Sequence, residues 1–107
     1  MARVVVSLPP SAKRGDVIEI RTLAAHPMES GFRRDTQSGQ LIARDIITRL
    51  TCTYNGVEVF RADLHPALAA NPLIMFSTVA TESGTLEFRW TGDHGYEATH
   101  TAQLTVV

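Results

Sequence analysis

Apolar and polar side chains alternate with a period of two along most of this chain, and no other feature restricts its fold more. Successive side chains of a β-strand point to opposite faces, so such a rhythm is that of half-buried strands. Val4, Val6 and Leu8 share one face of the first apolar stretch, 3–8. In 16–23, Ile18 and Ile20 oppose Glu19 and Arg21. In 45–54, Ile46, Leu50, Cys52 and Tyr54 oppose Arg49, Thr51 and Thr53, and a short strand follows over 57–63. Leu86, Phe88 and Trp90 oppose Glu87 and Arg89; Ala98, Ala102, Leu104 and Val106 line one face of the last stretch, 96–106. The stretch 73–80 is different. Met75 and Val79 on one face and Ile74 and Phe76 on the other are all apolar, which predicts a central strand or one covered by a partner.

Turn chemistry separates these runs. Asn55-Gly56 is the strongest hairpin signal, because a type I′ turn requires positive φ at both central positions. Lys13-Arg14-Gly15, Glu82-Ser83-Gly84 and Gly92-Asp93-His94-Gly95 mark further turns. About seven antiparallel strands at such spacing predict an all-β, immunoglobulin-like β-sandwich, and 107 residues fit one such domain over 1–107. The Cys…Trp…Cys pattern of antibody domains is absent, but Trp90 suits a core. One helical turn is expected within 63–71, with Asp63 as cap and Asn71-Pro72 as stop. Residues 26–44 show little alternation and hold Pro27, Gly31 and Gly39; a loop that long is usually functional, and Ser38-Gly39 suits a small projecting hairpin.

Ten basic against eleven acidic side chains give a net charge of −1, without the basic stripe of a nucleic-acid binder. No run approaches the roughly 20 apolar residues of a membrane helix, and Pro9-Pro10 ends an N-terminal run too short for a signal-peptide core. The single cysteine, Cys52, has no partner for an internal disulfide.

Four histidines and a cysteine raise a metal reading. Superoxide reductases bind iron through four histidines and one cysteine on an immunoglobulin-like fold, and His26, His65, His94, His100 and Cys52 match that count. The spacing does not match, since no histidine lies within ten residues of Cys52. Cys52 sits on an apolar strand face among threonines and reads as a core residue rather than a nucleophile. His100 reads as a core or interface residue, and His65 and His94 as loop residues. Arg33, Arg34 and Arg44 are either a local positive surface or charges neutralised by Glu29, Asp35 and Asp45. No phosphate loop, serine elbow, CxxC or HExxH occurs, so no catalytic residue and no cofactor is expected.

The string His26-Pro27-Met28-Glu29-Ser30-Gly31-Phe32-Arg33-Arg34-Asp35 continues into Gly39-Gln40-Leu41-Ile42, Ile46-Ile47 and Leu50-Thr51-Cys52-Thr53-Tyr54-Asn55-Gly56. Ala70-Asn71-Pro72, Glu82-Ser83-Gly84-Thr85, Phe88-Arg89-Trp90 and Tyr96-Glu97-Ala98 follow. Over nearly its whole length this sequence resembles the SoxZ family; Ala43 departs from the proline many members carry there. The resemblance implies a sandwich that forms a heterodimer with SoxY, whose C-terminal cysteine arm carries sulfur intermediates to periplasmic Sox enzymes during thiosulfate oxidation. It implies a subunit without catalytic residues, in transient contact with those enzymes and exported together with SoxY. The strand-like Gln103–Val107 segment has no glycine-flanked cysteine, so this chain is not expected to bear the sulfur. The partner surface is expected in the 26–44 loop and the 70–76 segment, at His26, Met28, Glu29, Arg33, Arg34, Asn71, Pro72, Met75 and Phe76. In isolation the chain is expected to be able to homodimerise by pairing an edge strand meant for its partner.

Overall fold

A computed structural model describes residues 3–107. The strands are β1 (Arg3–Ser7), β2 (Ser11–Ala12), β3 (Val17–Ala25), β4 (Ile47–Tyr54), β5 (Val57–Asp63), β6 (Leu73–Val79), β7 (Gly84–Gly92) and β8 (Glu97–Val106). They form a three-stranded sheet in the order β1-β3-β6 and a five-stranded sheet in the order β2-β8-β7-β4-β5. The two stack as an immunoglobulin-like sandwich. Seven of the strands coincide with the seven expected stretches; the eighth, β2, is two residues long and pairs parallel to β8.

The inward faces carry the expected side chains. Ile18, Ile20, Thr22 and Ala24 alternate inward along β3, and Leu86, Phe88 and Trp90 along β7. Phe60 of the larger sheet stacks on Phe76 of the smaller at 4.0 Å, closing the core near the β5–β6 side. A fully buried Ile, Leu or Phe among them contributes roughly 1.5–3 kcal/mol. Tyr54 ties β4 to the β6–β7 crossover: its hydroxyl donates to the Glu82 carbonyl and accepts the Glu82 N–H.

Three local features have identifiable causes. Asn55 and Gly56 have φ of 49° and 84°, the two left-handed residues of the expected hairpin turn. A bulge in β4 between Ile47 and Arg49 turns both Ile46 and Ile47 inward. The bulge brings the Ile46 carbonyl so close to Gly92 that a Cβ there would sit 2.4 Å from it, hence the glycine. The helical turn expected at 63–71 does not form. Asp63 ends β5 and pairs with Arg49 at 2.9 Å, so it is not available as a cap. One turn bond, from Leu68 N–H to the His65 carbonyl, marks the segment instead. A 3-10 turn lies at Asp93–Gly95, joining β7 to β8.

The stretch 73–80 is not central. Among the described residues, β6 pairs only with β3, at the rim of the smaller sheet. Its inner residue Phe76 is buried, whereas Leu73, Met75 and Val79 stand exposed on the outer face.

Candidate functional site

Two regions stand out: the connection between β3 and β4, and β6. The connection is a projecting hairpin. Its base is closed by two 2.8 Å bonds between Glu29 and Asp45, and its tip by Asp35 N–H to the Gln40 carbonyl, with Gly39 at φ 73° in the turn. Arg34 bridges to Leu41 between them. Phe32 is 81 % exposed and Leu41 57 %, apolar side chains held out into solvent.

The hairpin is anchored hard at its root. His26 follows the last residue of β3 and is buried, with its ring edge-on to Tyr96 at 4.9 Å. Its Nδ1 accepts the Met28 N–H at 2.9 Å, so the ring proton sits on Nε2, which faces Asp45 at 3.7 Å. Met28 takes φ 53° and buries its side chain, where Sδ accepts the Ile47 N–H at 3.3 Å. On the other side, Asn71 at φ 53° accepts the His26 N–H through Oδ1 and donates its own N–H to the His26 carbonyl. Arg44 makes a two-pronged bond to Asp93 at 2.8 Å, and His94 Nε2 donates to the Arg44 carbonyl. Asp93 also accepts the Ile46 N–H. Chiefly through the Arg44 hydrogen bonds, its carboxyl is held below the usual aspartate range.

The expected surface residues therefore divide. His26, Met28, Pro72 and Phe76 are buried within this chain, where they position the hairpin and β6. Asn71 is exposed as a residue, but its side chain is engaged with His26. Glu29 is held by Arg33 at 2.6 Å. Arg33, Arg34 and Met75 remain on the surface. The three arginines do not build a positive patch, because Arg33 and Arg44 each face a carboxylate and Arg34 turns to the Gly39 carbonyl.

Several further residues stand out that lie outside the expected set. Phe32 and Leu41 had one local signal, apolar side chains inside a turn-rich loop. Val5, Leu23 and Leu73 form a row of exposed apolar side chains straight across the smaller sheet, which only the strand register reveals. Asp93 anchors a residue 49 positions away, and no local pattern announces that.

The reactive residues are scattered. Cys52 is buried on β4, and burial pushes its thiol up to about 12. His65 and His94 are exposed in loops, and half-buried His100 lies beside Phe88 on β8. Among the described residues no three His, Cys, Asp or Glu side chains converge as metal ligands. The donor set that matched iron by count is not assembled.

The architecture puts the chain in a class of immunoglobulin-like sandwiches that includes superoxide reductases and sulfur carriers. A superoxide reductase (neelaredoxin) from Ignicoccus hospitalis superposes with a TM-score of 0.73 at 15% identity, covering 97% of this chain and 79% of that one. A putative superoxide reductase from Thermotoga maritima gives 0.74 at 15% identity, over 97% and 85%. The sulfur carrier protein SoxY from Chlorobium limicola f thiosulfatophilum gives 0.68 at 12% identity, over 97% and 78%. At such identities these likenesses show the fold. No curated protein matches the sequence. The family is settled by sequence: the model of the sulphur oxidation protein SoxZ matches residues 6–103, and the chain belongs to the SoxZ family. It is a Sox sulfur-oxidation subunit.

Proposed function

We propose that this chain is the non-catalytic scaffold of a SoxYZ sulfur-carrier heterodimer. It binds SoxY and helps present the sulfur intermediates on SoxY's cysteine to Sox enzymes during thiosulfate oxidation. The working compartment in this reading is the periplasm, reached together with SoxY. Family membership supports the reading, and one structural observation carries it. The only cysteine is locked in the core with its thiol held protonated, while the exposed features are apolar surfaces suited to a partner. Reactive thiols need the opposite setting, exposed and in electropositive surroundings.

Contact with SoxY is assigned to the hairpin, through Phe32, Arg33, Arg34 and Leu41, and to the exposed side of β6, through Leu73 and Met75. Interfaces of lasting complexes are apolar at their centre with a polar rim, and this set has that composition. Transient contacts with other Sox enzymes would fall on what remains uncovered.

The test is co-expression with SoxY from the same organism, then size exclusion and intact mass spectrometry. The expected product is a one-to-one complex that takes up thiosulfate adducts on the SoxY cysteine alone. Phe32→Ala should weaken it by roughly 10-fold or more, as loss of an aromatic anchor does, without moving the melting temperature. No complex, an adduct on Cys52, or stoichiometric iron would overturn the proposal.

A further inference from the structure

Sheet edges are where proteins guard against unwanted pairing, with charges, prolines, bulges or short strands. This molecule guards its edges unequally. β5, the rim of the larger sheet, carries Glu58, Arg61 and Asp63, and its pairing with β4 is broken by a bulge at Cys52/Thr53. β1 is short and carries Arg3; β8 carries Glu97 and is capped at its far end by β2. β6 is seven residues long, Leu-Ile-Met-Phe-Ser-Thr-Val, without a charge or proline and with unbroken register against β3.

The register also shows what the open edge offers. Ala24 N–H bonds to the Pro72 carbonyl and Ala80 N–H to the Asp16 carbonyl. Both are directly opposed pairs of the β3–β6 ladder, so residues 72, 74, 76, 78 and 80 turn their backbone groups toward β3. Leu73, Met75, Ser77 and Val79 therefore turn N–H and C=O to the open side. The same four lie on the outer face, where Leu73 is 60 %, Met75 54 % and Val79 45 % exposed. Hollows flank the strand at both ends: a groove of about 360 Å³ shared with Val57 and Val59, and another of about 310 Å³ between Leu68 and Ile74.

We infer that the open edge of β6 receives an extended, uncharged strand of the SoxY partner, so that the three-stranded sheet continues across the subunit boundary. The inference rests on the SoxY reading above. Strand addition satisfies the outward backbone groups, and the exposed odd-numbered side chains supply specificity. The absence of charge on β6 calls for an uncharged strand opposite. Continuity favours the heteropartner over a second copy. Asn71 joins the start of β6 to the hairpin root, so one partner can cover both surfaces. A two-fold antiparallel pairing of β6 with itself would set each hairpin beyond the other copy's far end, leaving Phe32 bare. A seven-residue strand alone is about 23 Å long, and a stable interface needs about 800 Å² per side, so the hairpin is part of the area required.

Hydrogen exchange on the wild-type complex tests this. The Met75, Ser77 and Val79 amides should slow at least about 10-fold on binding SoxY, as newly bonded strand amides do. Ser77→Pro removes an edge-facing N–H without touching the β3 ladder and should weaken the complex about 10-fold or more, whereas Ser77→Ala should bind like wild type. Should the proline variant not fold, Met75→Lys and the exchange data decide. If wild type forms no complex with SoxY, the underlying reading fails and takes this one with it. If the complex forms but these amides exchange unchanged and Ser77→Pro binds normally, the β6 inference alone fails. Slow exchange that appears without SoxY, in step with dimerisation of the isolated chain, would assign the edge to a second copy and overturn the inference.

Discussion

Cys52 shows how burial settles chemistry at a single atom. Its thiol is pushed up to about 12, well above the ordinary thiol range near 8.5. The native protein should therefore resist thiol reagents at pH 8 and react only as fast as it unfolds; rapid labelling without unfolding would refute a structural role. A raised native pKa means that stability is intact below the unfolded thiol's pKa and declines as pH climbs from there toward 12. Asp93 runs the other way. Its carboxyl is depressed, first by the Arg44 hydrogen bonds, so its contribution is complete above the unfolded aspartate's pKa and lost as pH falls through the lower native value. Protection of the Ile46 amide, which Asp93 accepts, should fall on acidification below about pH 4, the ordinary aspartate range. In Asp93→Asn that protection should already be weak at neutral pH and insensitive to acid. A pH-dependent Ile46 amide in the variant would count against this account.

Among the elements, the β7–β4 crossing tolerates least. Gly92→Ala would place a Cβ 2.4 Å from the Ile46 carbonyl and 2.9 Å from the Ile47 Cα, backbone atoms that cannot swing aside. A loss of roughly 1–3 kcal/mol in urea unfolding is expected, and an unchanged midpoint would mean that the bulge relaxes freely. Most of the long strands were legible because alternation is written locally, residue against next residue, as in Ile18 to Arg21 and Leu86 to Trp90. The Asn55-Gly56 turn was legible for the same reason. What escaped depends on neighbours distant in sequence. A run apolar on both faces, such as Leu73 to Phe76, looks central until the strand order puts it at a rim. Asp63 resembles a helix cap until Arg49 claims it. His26 and Met28 resemble surface loop residues, but the left-handed turn at Met28 folds that side chain back under β4, and Asn71 seals it from the other side. So the irregular loop was legible as a projecting segment, and the burial of His26 and Met28 within it was not.

At the scale of the molecule, shape is the signature. A compact chain of this length has a radius of gyration near 13 Å, yet here it is 16.4 Å, with extents of 59 × 20 × 19 Å. The ten-residue β8 is only about 33 Å long, so much of the excess belongs to loops beyond the sandwich, chief among them the hairpin. Small-angle scattering of the monomer should give an elongated profile, and replacing 32–42 with a short turn should bring the radius down toward 13 Å while the strand spectrum is kept. A radius near 13 Å for wild type would mean that the hairpin folds back onto the sandwich in solution. The elongation has a practical side. A rod-like 11.7 kDa protein elutes from a sizing column ahead of round proteins of its mass, so a monomer would pass for a dimer if judged by volume alone. Light scattering, which weighs particles without regard to outline, is the measurement that would tell a true self-association from a long silhouette.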